Sequence, residues 1–361
     1  MLPCAVALTA AGGLLLLGSV PAWAQAAVLV PTAALLTLWA LSRVFIGYTA
    51  VPSKRILAWA GGLAAIAALS AARAPGTLPS ISVWVAWNSL WMFPLIAVVS
   101  KDERTAIDDF IRFASWILMV LAFYQHYVLG EATPASALPS AAVYAGTVLL
   151  LVPIALERED RLLAFGLLVT LWWSGGVGAW LGLFAAFTLL SPWNPGFRLY
   201  AGLSGVAVCF IVMYGRIESV EAIERARLWV EAWRSIGLRP LLGFGPGSWR
   251  TGELVAYPLV VAAELGIPFA LLWFAGLWHC ITAGGSYKRY GALAILVHSL
   301  WDPVFLAPAN LWLLSYCAAS AISEGSEGFE IPARWRFPVS AAVAWTGFVI
   351  GRNALAAWGG R

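Results

Sequence analysis

The chain has 361 residues, of which 61% are hydrophobic and 11% charged, with a formal net charge of +4 and a mean hydropathy of +0.82. A soluble globular chain carries about a quarter charged residues, so this balance excludes an ordinary soluble enzyme and predicts an all-α polytopic membrane protein. The cysteines Cys4, Cys209, Cys280 and Cys317 fall in apolar runs without paired spacing, which argues against a disulfide framework or metal site and predicts buried thiols.

The first 26 residues end their apolar run in Ala22-Trp23-Ala24, like a cleavable secretory signal. They lack a positive leading segment, however, and a second apolar run follows at once, so they read as a retained first helix. Set against the ~20 residues that cross a bilayer, the apolar runs predict about twelve or thirteen spans. These lie near 4–22, 26–42, 56–72, 81–99, 111–129, 139–156, 162–175, 177–192, 199–214, 258–281, 290–304, 309–322 and 337–351. The chain thus reads as a single integral membrane domain, 1–361. Ser174, Gly175 and Gly176 suggest a tight hairpin, and Lys101 to Asp109 (KDERTAIDD) reads as a solvated cytoplasmic turn. Gly178 and Gly182 lie on one helix face and would pack either within the chain or between chains. Tryptophans such as Trp87, Trp91, Trp193, Trp301 and Trp335 cluster where the membrane interfaces are expected.

Lys and Arg concentrate in alternate loops, at Arg43, Lys54 and Arg55, at Lys101, Arg104 and Arg112, at Arg158 and Arg161, and at Lys288 and Arg289. That side is expected to be cytoplasmic. The long polar segment 215–257 falls on the other side and is expected to be a periplasmic loop, although it carries Arg216, Arg225, Arg227, Arg234, Arg239 and Arg250. An anionic ligand at the outer membrane surface would hold these arginines against the usual charge bias.

Within the loop, helical spacing from Glu218 to Ile236 places Ala222, Arg225, Trp229, Trp233 and Ile236 on one face and Glu224, Arg227, Glu231 and Arg234 on the other. This suits a helix lying in the interface with its tryptophans down. Arg225 on the apolar side either clamps a phosphate and stacks on an indole or snorkels and pairs with Glu218 or Glu221. After Arg239-Pro240, the glycines Gly243, Gly245 and Gly247 permit a tight turn whose successive N–H groups could form an anion nest.

The run RARLWVEAWRSIGLRPLLGFGPGSW, followed by VVAAELGIPFALLWFAGLW, resembles the hallmark region of the O-antigen ligase and O-antigen polymerase superfamily of bacterial inner-membrane proteins. Looser echoes in PSAAVYAGTVLLLVPIAL, TLWWSGGVGAWLGL and VHSLWDPVF extend the resemblance over roughly Pro139 to Phe305. It implies a helix bundle with a large periplasmic loop over a lateral cleft. The implied reaction transfers a glycan from an undecaprenyl-diphosphate carrier to a glycan, lipid or protein acceptor, with neither metal nor other cofactor. The implied partners are that donor and acceptor, membrane lipids and other membrane proteins, with no role for nucleic acid.

The chain departs from the ligase pattern in two places. Val255 and Ala256 stand where family ligases carry a histidine ahead of the AELG glycine, and Val177 stands at the hairpin arginine. These departures favour a polymerase-like member or a catalytically inactive relative that binds a lipid-linked glycan or serves in a membrane assembly. The expected catalytic residues are Arg225 for leaving-group charge and His298 with Asp302, one helical turn apart, as base and orienting acid. That pair would equally serve to buttress helix packing. Arg216, Arg227, Arg239, Gly243, Gly245, Gly247, Arg250 and Glu264 are the expected donor-binding residues.

Overall fold

The computed structural model describes residues 1–73, 92–190, 196, 198–200, 202–205, 207, 219–246, 248, 256–321 and 327–359. These residues are helical apart from turns and one two-stranded antiparallel ribbon, so the chain is all-α as its composition predicts.

Helix α1 (Leu2–Leu15) contains one wide turn over Leu8–Gly12 and is shorter than the predicted span 4–22. The chain reverses at Gly18, whose φ of +63° lets its Cα press against Leu138 and Ala307 without a side chain. Cys4 is exposed rather than buried, Cys280 and Cys317 are buried as expected, and Cys209 lies outside the described residues.

Helix α2 (Ala22–Ile46) starts behind Pro21 and closes on Gly47, whose N–H donates to the carbonyls of Arg43 and Val44 from a left-handed conformation. Strand β1 (Tyr48–Val51) then pairs with β2 (Glu327–Glu330), Tyr48 opposite Glu330, and so brings helix α13 (Ala333–Gly359) alongside α2.

Helix α3 is Lys54–Arg73 and α4 is Lys101–Tyr127. Ser100 caps α4 by accepting from the Glu103 N–H while the Glu103 carboxylate accepts from the Ser100 N–H. The segment expected to be a solvated turn is therefore the first turns of a long helix.

The heart of the fold consists of α5 (Ala141–Glu157), α6 (Arg161–Ser174), α7 (Val177–Leu190), α11 (Lys288–His298) and α12 (Pro308–Ala321), the last of which is buried on every side. The expected hairpin joins α6 to α7 through Gly175 at φ +66°. Gly182 of α7 faces the Ala294 carbonyl of α11, where a Cβ would come within 2.1 Å of the oxygen. Gly291 of α11 faces the Leu149 carbonyl of α5, at 2.5 Å from a Cβ. The small residues thus pack within the chain and let three backbones approach closely. Asn310 fastens the same core, donating to the Val143 and Val304 carbonyls and accepting from the Thr147 hydroxyl.

Helices α8 (Ser219–Leu238), α9 (Tyr257–Leu265) and α10 (Ile267–Ala283) lie between α7 and α11 in the chain. Two helices, Trp23–Ile46 and Lys54–Arg73, are long and apolar enough to cross a bilayer by length and composition. Others fall short of the expected crossings: α6 and α7, at 14 residues each, are about 21 Å long, and α11, at 11 residues, about 16 Å. A hydrocarbon core measures about 30 Å. Among the described residues Trp23–Ile46 and Lys54–Arg73 are the helices that meet the test of length and composition, and the expected spans 81–99 and 199–214 lie in large part outside the described residues.

Candidate functional site

Of the residues singled out in the sequence, Arg239, Gly243, Gly245 and Glu264 lie at the C-terminal end of α9 and His298 and Asp302 at its N-terminal end. Arg216, Gly247 and Arg250 lie outside the described residues, as does the side chain of Arg225, whose backbone belongs to α8.

At the C-terminal end of α9, the turn after Arg239 folds onto the AELG segment. Phe244 and Gly245 donate their N–H groups to the Ala263 and Glu264 carbonyls at 3.0 and 2.9 Å, and Ile267 donates to Pro240 at 2.8 Å. The Ser70 hydroxyl of α3 sits on the same joint, within reach of the Leu242 and Glu264 carbonyls. Gly243, at φ +62°, lies against the Glu264 backbone, and Gly266, at φ +88°, against that of Leu241. Neither position has room for a Cβ. The N–H groups of Gly243 and Gly245, expected to face an anion, bond within the chain, Gly243 to the Arg239 carbonyl and Gly245 to that of Glu264. The Glu264 side chain is buried. Arg239 is exposed, with its guanidinium 4.8 Å from the Phe244 ring centre.

Helix α8 runs into this joint and packs on α9. Ala232 and Ile236, one turn apart, are buried, and Trp233 is 62% exposed. Arg227, Glu231 and Arg234 share the open face, as predicted, and with Ala226 and Val230 line a hollow of about 570 Å³.

At the N-terminal end of α9, about 10 Å from Glu264 by helical rise, the Tyr257 N–H donates to the Ser299 carbonyl. This ties α9 to the residue after His298. His298 Nε2 lies 2.9 Å from Asp302 Oδ2 across one turn, and since a carboxylate only accepts, Nε2 carries the donated proton. The other ring nitrogen, Nδ1, is buried without a hydrogen-bond partner. Gly178 of α7 covers the pair, and a Cβ there would lie 2.7 Å from His298 Cδ2 and 3.2 Å from Asp302 Oδ2. The imidazole has no exposed surface, whereas the Asp302 side chain is 14% exposed.

Sequence reasoning missed a second polar cluster. Lys288 Nζ is 2.7 Å from Asp108 Oδ2 and 3.6 Å from Glu157 Oε2, and the Tyr316 hydroxyl donates to Asp108 Oδ1 at 2.6 Å. The Lys288 and Asp108 side chains are 4% and 7% exposed, so Asp108 is a buried ion-pair partner and not part of a solvated turn. Burial pushes the Asp108 carboxyl above its ordinary value, against the opposing pull of Lys288. A sequence signal for it exists: Asp108 falls on the stripe Ile111, Ser115 and Leu118 that forms the covered face of α4.

Comparison with protein-family models, with curated proteins and with solved structures finds no match for this chain.

Proposed function

We propose that the protein is a polytopic membrane protein of the bacterial inner membrane whose arginine-bearing loop faces the periplasm. There it moves a glycan from an undecaprenyl-diphosphate carrier to an acceptor. The observation that carries this reading is the joint at α9. The two halves of the family-like motif, RPLLGFGPG and AELG, bond to each other backbone to backbone and so behave as one structural unit.

The outer surface supports a lipid environment. Phe45, Phe110, Phe113, Leu162, Phe165 and Leu271 are between 63% and 74% exposed, large apolar side chains that lipid would cover. Helices too short to cross alone are tolerated in a membrane where protein covers their ends.

Arg227 and Arg234 on the open face of α8 offer bidentate donors to a diphosphate, where charge builds on the leaving oxygen as the glycosidic bond breaks. His298, oriented by Asp302, is the base for the acceptor hydroxyl through its unpartnered Nδ1, which requires the groups that bury that nitrogen to move aside. The complete burial of His298 favours a second reading, a relative that binds the lipid-linked glycan without turning it over.

Transfer by the purified full-length protein, given an undecaprenyl-diphosphate glycan, separates the two. Turnover abolished in both Arg225→Ala and His298→Ala establishes the transferase. Donor binding without turnover, weakened by Arg225→Ala, establishes the binding protein. Neither binding nor turnover discards both.

A further inference from the structure

We propose that Asp108, Glu157, Lys288 and Tyr316 form a proton-operated switch: when Asp108 takes up a proton, Lys288 exchanges Asp108 for Glu157, and the first turn of α11 transfers its attachment from α4 to α5. The proposal rests on the geometry at the Lys288 end of α11 and is independent of the transferase reading.

Four helices contribute one group each. Lys288 of α11 stands between Asp108 of α4, at 2.7 Å, and Glu157 of α5, at 3.6 Å. Tyr316 of α12 donates to Asp108 Oδ1, and its ring lies 5.3 Å from the Lys288 ammonium. The other groups near Asp108 are the Cys317 thiol on α12 and Arg104 on its own helix. Arg104 is committed to the carbonyls of Ile96, Val99 and Ser320.

Two carboxylates share the Lys288 ammonium, with the Arg104 guanidinium also near Asp108, and Asp108 holds its charge in a poorly hydrated place that disfavours it. Such a site favours uptake of one proton. The two carboxylates are not equivalent. Glu157 is 32% exposed on its side chain and accepts from the Ser286 hydroxyl at 2.8 Å, so it remains solvated. Asp108 is buried, and burial pushes its carboxyl up. The proton therefore enters from solvent past Glu157 and settles on Asp108 Oδ2, while Oδ1 keeps the Tyr316 hydrogen bond. Lys288 Nζ then has one carboxylate left, and closing a 3.6 Å separation to hydrogen-bond length takes less than 1 Å of movement, by roughly the usual N–H···O distance. The neighbouring pair, Arg158 with Asp109 at 2.7 Å, holds α4 against α5 in both states, so only α11 changes partner.

The sign of the pH dependence follows. A carboxyl whose native value is raised above its unfolded one contributes stability that is full below the unfolded value and lost as pH rises through the native one.

The test uses the full-length protein in lipid nanodiscs. Infrared difference spectra on acidification should show a new protonated-carboxyl C=O band. That band should be absent in Asp108→Asn and should have its midpoint moved to lower pH in Glu157→Gln, where the repelling carboxylate has gone. Thermal unfolding should show Glu157→Gln costing more Tm at the acid end of the stable range than at neutral pH, since Lys288 depends on Glu157 only after the exchange. A band that persists in Asp108→Asn, or a Glu157→Gln cost that is equal at both pH values, overturns the proposal. If Asp108→Asn fails to fold, wild type and Glu157→Gln decide it alone.

Discussion

Helix α11 ends in two different kinds of polar chemistry. At its first residue, Lys288 is held by side chains from three other helices whose sequence positions are far apart. At its last residue, the His298 ring bonds Asp302, one turn further along the same chain, and keeps a bare Nδ1. The first arrangement exists only once α4, α5, α11 and α12 are assembled, and it fixes how they sit. The second needs only one turn of local backbone. Its orientation survives small shifts of the bundle, which is what a reacting group needs. The two ends lie about 15 Å apart along one helix, so disturbance at either end tests whether the helix is a shared strut.

The largest effect is expected at the Lys288 end. Replacing one member of a buried ion pair leaves an uncompensated charge and costs about 3–5 kcal/mol, whereas replacing both by apolar residues of similar size is close to neutral. Lys288→Met alone should strongly destabilise the protein, Asp108→Leu should cost less because Lys288 can turn to Glu157, and the double variant should recover most of the Lys288→Met loss in a denaturant or thermal unfolding cycle. Additive losses would mean that the pair does not act as a unit, and the contrast between the two ends would collapse.

The same contrast explains what could be read from the sequence. The pairing of His298 with Asp302 was legible because spacing of four on a helix puts two side chains on one face. The α6–α7 hairpin and the shared face of Arg227, Glu231 and Arg234 on α8 were legible for similarly local reasons. Lys288 and Asp108 stand 180 positions apart, and nothing local records their meeting. Asp108 looked solvated because five of its neighbours from Lys101 to Asp109 are charged, yet the 3.6-residue period turns it alone to the covered face. The glycines of the loop were legible as a turn, but their N–H groups were assigned to an anion because the Ala263 and Glu264 carbonyls that take the N–H groups of Phe244 and Gly245 come from a helix later in the chain.

Midway along α11, the contact with α7 should respond at intermediate strength. Gly182→Ala places a methyl group 2.1 Å from the Ala294 carbonyl oxygen, and backbone cannot rotate away as a side chain would. Overpacking of this kind costs about 1–3 kcal/mol, measurable as a fall in Tm. Gly178→Ala meets the movable His298 ring instead, at 2.7 Å, and should cost less stability. An equal or larger loss for Gly178→Ala would mean that the His298 end is as rigid as the middle of the helix.

The smallest effect on stability is expected for Asp302→Asn, and there the two readings of the dyad part. Asparagine keeps an oxygen that can accept from His298 Nε2, and the Asp302 side chain is 14% exposed, so water can serve the added amide. The stability change should stay near the net worth of one hydrogen bond, about 1 kcal/mol. If His298 deprotonates an acceptor, the lost carboxylate no longer supports the charge that forms on the imidazole, and turnover should fall toward the about 10²–10⁴-fold worth of general-base assistance while donor binding holds. If the pair only braces α11 against α7, both turnover and binding should track the small change in Tm. A large turnover loss with intact binding and an almost unchanged Tm would separate chemistry from packing at this end, in the way that the double-variant cycle isolates packing at the other.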